Sequence, residues 1–333
     1  VDVFGRIASL RTNKGGIKLL NALYKPKLND EQLQGICSIS PMNRMSINHS
    51  MLHTDAWGFR LRKKANDYLT NNVVPIEPSQ NERKYMVLGG SFAASVYAPP
   101  ESAFSDILEE LLNEKNSRKA TVYNFAMSAL KQEENFTHLL YSGAFRHINT
   151  VIWVDGLNDF MCGVPTNLYY DFEFPFNFAL GVPTMRPKEN QAQFAEQFTK
   201  KLREGMNTYE AINSRVNAFL AFRRNAIDIL QGLGIQVVNI LQPINDWKSG
   251  SITKRSKDTI PFYSNHWHSY RDYSHSIPEV ARLGRQKYGV EFYFFNSKTN
   301  DELEFWDSAH LSPEGEKTFA KLLYELLQQK SLV

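Results

Sequence analysis

Apolar residues recur along the chain in short runs that are separated by longer stretches with a different spacing. The short runs predict β-strands at residues 85–88, 121–125, 150–154, 236–241 and 290–294. The longer stretches predict helices at residues 103–112, 133–145, 192–233, 278–287 and 313–329. Strands that alternate with helices predict a five-stranded parallel sheet covered on both faces, which is a three-layer α/β/α sandwich.

The first part of the chain lacks this pattern. Residues 1–81 show no sustained period and predict an irregular N-terminal extension packed on a main domain of residues 82–333. The extension contains the segment HTDAWGFR, which ends at Arg60 and whose Trp57, Gly58 and Phe59 we expect to dock onto the sheet.

Two insertions interrupt the main domain. Residues 162–187 are rich in aromatic residues and proline, whereas residues 245–275 are polar, basic and aromatic together. Long irregular loops in a compact domain tend to be lids or binding loops. The aromatic run 169–178 fits three roles equally well: the floor of an acyl site, a wall for stacking sugars, or packing on the extension.

Composition excludes several classes of protein. The 333 residues carry a net charge of +3, with no basic stripe of the kind that nucleic-acid binding needs. Cys37 and Cys162 form no CxxC pattern and predict neither a disulfide framework nor a zinc site. No apolar run reaches the length of a membrane span, so we expect membrane association only through a segment outside this sequence.

The residues that follow the predicted strands carry the candidate chemistry, because ligands of open α/β sheets bind at the carboxyl ends of the strands. Ser91 follows the first strand after two glycines, a position where a serine more often caps a helix. His310 precedes the last helix, with Asp307 three residues before it. An imidazole can take the proton of a serine, and an aspartate can orient that imidazole. Asn158, after the third strand, can donate to an oxyanion.

Four segments resemble, in order and spacing, the motif blocks of the SGNH hydrolases, also called the GDSL esterase/lipase family. They read GGSF, NFAMSA, GLND and DSAHLS, and the resemblance extends from residue 85 to about residue 327 without matching the two insertions. HTDAWGFR is loosely similar to a lead-in segment of extracytoplasmic bacterial members. The resemblance implies a flavodoxin-like SGNH hydrolase fold and no cofactor.

The resemblance also implies a role for each block. Ser91 would be the nucleophile, His310 the general base and Asp307 the partner of His310. The oxyanion hole would consist of the backbone N–H groups of Ser91 and Ala129 and the side-chain amide of Asn158.

The sequence departs from the family pattern at two positions. Gly90 stands where the family has an aspartate that is outside the triad, and Ala129 stands where it has a glycine. Alanine still donates its N–H, but it is strained where the backbone needs a positive φ. The second departure therefore bears on the strength of the oxyanion hole.

These features predict a serine esterase. The resemblance implies that it cleaves a short acyl ester, such as acetyl, on a carbohydrate or another small alcohol. The resemblance also favours an extracytoplasmic location. Two alternatives remain open: an O-acetyltransferase in which the long loops keep water from the acyl-enzyme, or a catalytically weak protein that binds a glycan or a partner. No motif indicates the acyl length, the alcohol or the oligomeric state.

A metal site is the other chemistry that the sequence suggests. In the second insertion, a His-x-His pattern would place two imidazoles on one face of a strand. The candidate ligands are His266, His268, Asp272 and His275. The polar and basic composition of this segment favours a solvated loop instead. We therefore expect no metal.

Overall fold

The computed structural model centres on a parallel sheet of five strands. The structure describes residues 48–49, 52–53, 60, 81–96, 98–99, 102–127, 130–142, 144–161, 209–244, 267–295, 303–305 and 309–333. The strands of the sheet are β1 (Glu82–Gly89), β2 (Lys119–Asn124), β3 (Thr150–Asp155), β4 (Gln236–Leu241) and β5 (Phe292–Tyr293). Their order is β2-β1-β3-β4-β5, and every neighbouring pair is parallel. This is the flavodoxin-like order.

Helices connect the strands. They are α1 (Phe104–Lys115), α2 (Gln132–Ser142), α3 (Leu157–Met161), α4 (Tyr209–Gly232), α5 (Trp267–Leu283) and α6 (Pro313–Gln329). A 3-10 turn (Ala144–His147) follows α2, and a π turn (Gly284–Tyr288) follows α5. A short antiparallel pair, Asn48–His49 with Leu52–His53, precedes the sheet.

Both faces of the sheet are buried, which confirms the predicted three layers. Alternate residues of β1 point to opposite faces: Val87 packs in the core with α1 and α6, and Met86 packs in the core with α2 and α4. In β3, Ile152 and Trp153 divide between the same two cores. Burial on both sides explains why the strands read as continuous apolar runs.

The closing helix begins and ends as the sequence predicts. Ser312 caps α6, because its hydroxyl accepts a hydrogen bond of 3.1 Å from the backbone N–H of Gly315. Pro313 occupies the first turn, where a backbone N–H has no partner within the helix, so proline removes no helical hydrogen bond. Gly315 is needed for packing, since a Cβ there would lie 2.0 Å from the Glu304 carbonyl oxygen.

The prediction for residues 267–275 is wrong, because this part of the second insertion is helical rather than a loop. Helix α5 begins at Trp267 and contains Pro278 in its interior, where the sequence pattern suggested a first turn. Tyr273, Ile277 and Val280 are buried on one face, with the spacing of a helix that packs on a core. The fifth strand is also shorter than predicted, since only Phe292–Tyr293 pairs with β4.

Other predictions lie outside the described residues. These concern the insertion 162–187, residues 245–266, residues 192–208 of the third predicted helix, and the docking of residues 57–59. The boundary between an extension and a main domain near residue 81 also stays a prediction. None of the described helices combines the length and apolar character needed to cross a bilayer.

Candidate active site

Ser91 lies at the carboxyl end of β1, at the start of a tight turn over residues 91–96. Gly89, the last residue of β1, has a φ of 151°, and a Cβ there would lie 2.0 Å from the carbonyl oxygen of Val154. Only glycine fits such a position. The backbone N–H of Ala94 donates to the Gly90 carbonyl at 3.0 Å and closes the turn. The two glycines thus bring Ser91 to the rim of the sheet.

His310 reaches Ser91 from the other end of the chain. Its Nε2 lies 2.7 Å from the Ser91 Oγ, a hydrogen-bond distance in a partly buried setting. Two hydrogen bonds, each with a backbone carbonyl as acceptor, hold the segment that carries His310. The Ala309 carbonyl accepts from the Gln242 side-chain amide at 3.3 Å, and the Ser312 N–H donates to the Glu304 carbonyl at 3.0 Å. The Ser91 hydroxyl and the His310 imidazole are therefore in contact.

Asn158, at the start of α3, lies beside the backbone that precedes Ser91. Its Nδ2 donates to the Leu130 carbonyl at 3.0 Å, and a Cβ built at Gly90 would lie 2.4 Å from the same nitrogen. A primary amide has two N–H groups, so one bond to Leu130 leaves a second N–H for an oxyanion. Glycine at position 90 is the residue that leaves room for this amide.

Two of the predicted site residues, Asp307 and Ala129, lie outside the described residues, and their roles stay predictions. The structure brings together the other three, Ser91, His310 and Asn158, at the carboxyl edge of the sheet.

The second insertion offers no test of the candidate metal ligands. His266 and the side chains of His268, Asp272 and His275 are outside the described part of the chain. Within that part, no group of histidine, cysteine, aspartate and glutamate side chains is arranged to hold a metal ion.

The order of the sheet and the position of the blocks at its rim are those that the resemblance implies. The serine block follows β1, the GLND block follows β3, and the histidine block precedes α6. The chain has a flavodoxin-like α/β/α fold.

Comparison with known proteins finds similarity in solved structures alone, since no family model and no curated protein sequence matches the chain. The chain is similar to an acetyl xylan esterase at 15% identity, over 73% of this chain and 99% of that one, with a TM-score of 0.42. It is similar to a lipase/acylhydrolase from Enterococcus faecalis at 12% identity, over 74% and 96%, with a TM-score of 0.43. It is also similar to a carbohydrate acetylesterase from Sinorhizobium meliloti at 12% identity, over 74% and 99%, with a TM-score of 0.38. The residues of this chain must therefore carry any argument about activity.

A buried polar network joins the sheet to two of the helices that cover it. Arg223 of α4 is fully buried and donates to both carboxylate oxygens of Asp155, at 2.5 and 2.6 Å. It also donates to the side-chain oxygens of Gln132 and Asn239, each at 3.1 Å. The guanidinium lies 3.9 Å from the centre of the Trp153 ring. One cation thus connects α4, α2, β3 and β4.

The network continues to the residue next to Asn158. The backbone N–H of Gln132 donates to Asp159 Oδ1 at 3.1 Å. Asp159 Oδ2 is buried and has no hydrogen-bond partner among the described residues. Burial, with the nearby charges of Asp155 and Glu133, raises the pKa of Asp159 well above its ordinary value and favours the neutral carboxyl. Burial also raises the pKa of Asp155, because it outweighs the opposing charge of Arg223.

A second buried ionisable residue supports the turn that carries Ser91. Glu316 of α6 is 2% exposed, and its Oε2 accepts from the Ser95 hydroxyl at 2.8 Å and from the Phe104 backbone N–H at 2.9 Å. Ser95 has a φ of 49°, a left-handed conformation that is uncommon for any residue other than glycine. The buried carboxyl thus holds an unfavourable turn residue in place.

Arg223 and Glu316 are supporting residues that we did not predict from the sequence. Each is a charged residue on the apolar stripe of its helix: Arg223 lies between Phe219 and Ile227, and Glu316 precedes Phe319 with helical spacing. A charge on a buried stripe is unusual unless it is paired, so this pattern is the signal that could have identified both.

Proposed function

We propose that this chain is a serine esterase of the SGNH type, with Ser91 as the nucleophile and His310 as the general base. The observation that carries the proposal is the 2.7 Å contact between Ser91 Oγ and His310 Nε2. A hydroxyl in hydrogen-bond contact with an imidazole is the arrangement that nucleophilic acyl transfer requires. Asn158, whose amide lies beside Gly90, supports the same chemistry as an oxyanion donor.

In the acylation step, Ser91 Oγ attacks the carbonyl carbon of the ester while His310 Nε2 takes the hydroxyl proton. The carbonyl oxygen becomes an oxyanion, which the Asn158 amide and the backbone N–H groups of Ser91 and Ala129 would stabilise. The intermediate collapses, the bond to the alcohol oxygen breaks, and His310 gives its proton to the leaving alcohol.

In the deacylation step, a water molecule takes the place of the alcohol. His310 removes one proton from the water as its oxygen attacks the acyl carbon. The bond to Ser91 Oγ then breaks, Oγ recovers the proton, and the carboxylic acid leaves. Asp307 would orient His310 through its Nδ1–H in both steps.

The acyl group that we propose is short, with acetyl on a carbohydrate as the first candidate, and the proposed location is extracytoplasmic. Both follow from the resemblance, because the four blocks resemble the SGNH family and HTDAWGFR is loosely similar to a lead-in segment of its extracytoplasmic bacterial members. The coarser proposal of ester hydrolysis does not depend on either.

The experiment that tests the proposal compares Ser91→Ala with the wild-type chain in hydrolysis of p-nitrophenyl acetate. We expect kcat/KM to fall at least about 10³-fold, as when a triad member is removed. Ser117→Ala is the matched control, because Ser117 is exposed in the loop before β2, at the opposite end of the strands from Ser91. Activity of Ser91→Ala within about tenfold of the wild type would refute the assignment.

The same assay separates the alternatives. A fluorophosphonate that labels Ser91 rapidly in the wild type would exclude a purely binding protein. Addition of a sugar acceptor distinguishes the other two, because an esterase releases free acid at an unchanged rate whereas a transferase forms an acetylated sugar. Esters of increasing acyl length then measure the acyl preference.

A further inference from the structure

Arg60, the last residue of the HTDAWGFR segment, is buried against the turn that carries Ser91. It is 6% exposed and donates three hydrogen bonds to backbone carbonyls of that turn and of the residues after it. Nη1 bonds to Ala94 O at 3.1 Å and to Ser95 O at 3.0 Å, and Nη2 bonds to Ala98 O at 2.8 Å. One guanidinium therefore fixes three carbonyls within five residues.

Arg60 supplements the backbone donors of this turn. The Ser95 carbonyl also accepts from the backbone N–H of Ala98 at 3.0 Å, so Arg60 is its second donor. Residues 98–99 are not helical, so the Ala94 and Ala98 carbonyls are not followed by a helical turn whose N–H groups they could accept. Leaving a buried carbonyl without a hydrogen bond is unfavourable. The carbonyl of the preceding residue, Ala93, is also bonded, because it accepts from the side-chain amide of Asn124 at 2.8 Å. Arg60 also forms an antiparallel bridge with Asn124 at the edge of the sheet.

The contacts of Arg60 reach Ser91 through the turn itself. The backbone N–H of Ser95 donates to Phe92 O at 3.0 Å, and the N–H of Val96 donates to Ser91 O at 3.4 Å. Ser95 is the left-handed residue of the turn, and it is held at both ends: by Arg60 at its carbonyl and by Glu316 at its hydroxyl. An unfavourable conformation persists only where its surroundings determine it, so loss of Arg60 should let the turn relax.

We propose that Arg60 is a positioning residue, which holds the turn so that Ser91 Oγ stays within hydrogen-bond distance of His310 Nε2. Its guanidinium bonds to the backbone behind Ser91 and acts on the reaction through that backbone. The N-terminal segment would thereby complete the active site of the main domain. The inference rests on the proposed function of Ser91 and His310.

The test measures nucleophile alignment directly, as the maximal rate and half-saturation concentration of Ser91 labelling by a fluorophosphonate. We expect Arg60→Met to lower the maximal labelling rate and the kcat for p-nitrophenyl acetate by about 10- to 100-fold, because displacement of a reacting group by about 1 Å costs roughly that factor. KM and the half-saturation concentration should change less than about threefold, since Arg60 is proposed to act on alignment and not on binding.

Arg83→Met is the matched control. Arg83 also donates to a backbone carbonyl, that of Val333 at 2.5 Å, but it lies in the first half of β1, away from the Ser91 rim. We expect its labelling rate to equal that of the wild type. Arg60→Lys should retain part of the loss in labelling rate, because an ammonium on a flexible stem cannot reproduce the fixed fork of a guanidinium.

Chemical rescue separates positioning from a general loss of structure. Millimolar guanidinium should restore part of the labelling rate of Arg60→Ala and leave Arg83→Ala unchanged. If Arg60→Met fails to fold, Arg60→Lys carries the same comparison. A wild-type labelling rate in Arg60→Lys together with no rescue of Arg60→Ala would overturn the proposal. A wild-type chain that is not labelled at all would instead refute the proposed function.

Discussion

Glu316 makes the stability of this chain depend on pH in a direction that can be measured. Its carboxyl is buried behind the turn of Ser91 and accepts hydrogen bonds from the Ser95 hydroxyl and the Phe104 N–H. Burial is the largest influence and raises the pKa of Glu316 from 4.5 to about 8, against the lowering effect of these bonds and of the Arg60 charge. Glu316 is therefore largely protonated in the folded chain at neutral pH.

The sign of the effect follows from proton binding. Between pH 4.5 and about pH 8 the folded chain keeps a proton on Glu316 that the unfolded chain releases, so the free energy of unfolding falls as pH rises. The contribution is fully present below pH 4.5 and fully lost above about pH 8. Because one pKa unit corresponds to about 1.4 kcal/mol, the whole loss is up to about 5 kcal/mol.

Glu316→Gln replaces the carboxyl with an amide of similar size that does not ionise. We expect the wild-type chain to lose stability relative to this variant, by up to about 5 kcal/mol, when urea unfolding is compared at about pH 5 and about pH 9. Glu279→Gln is the control, because the hydrogen bond from Arg282 lowers the pKa of the exposed Glu279 and removes its titration from this range. The reasoning would be refuted if the difference in free energy of unfolding between the wild type and Glu316→Gln changed by less than about 1 kcal/mol over the whole range.

Two further substitutions test the proposed role of Asn158 and the buried network beside it. Gly90→Ala should push the Asn158 amide from its place, because the new Cβ would lie 2.4 Å from Nδ2, and should lower kcat about 10- to 100-fold. Gly232→Ala, where a Cβ meets nothing within 4 Å, should leave kcat unchanged, and equal kcat in both variants would contradict the role of Asn158. Arg223→Met should lower the free energy of unfolding by about 3–5 kcal/mol, because it leaves Asp155 buried without its cation. Urea unfolding checks this, and a second change, Asp155→Asn, should restore part of the loss; additive losses would refute the pairing.

The apolar pattern predicted the layers of the fold because strands buried on both faces leave a plain record in the sequence. β4 and α6 begin and end where the pattern places them. The pattern failed at α5, whose first turns are polar and whose interior contains Pro278. This helix is stabilised by a stripe of single apolar residues, Tyr273, Ile277 and Val280. The stripe becomes recognisable only when the core against which it packs is known.

The sequence predicted one part of the candidate site, and the tertiary structure decided the other. The four blocks predicted Ser91, His310 and Asn158 by residue type and order, and parallel strands bring such segments to one edge. The distance between Ser91 and His310 depends on contacts that no motif contains, such as the bond from Gln242 to the carbonyl before His310.

The sequence by itself determined the alternation of strands and helices and the chemical groups at the ends of the strands, because local spacing and residue type suffice for both. The tertiary structure alone decided which ionisable residues would be buried and which partners they would meet. Arg60, Arg223 and Glu316 are ordinary charged residues in the sequence. Each acquires its role from partners far away along the chain, and burial of a charge is stable only when the fold brings such partners within hydrogen-bond distance.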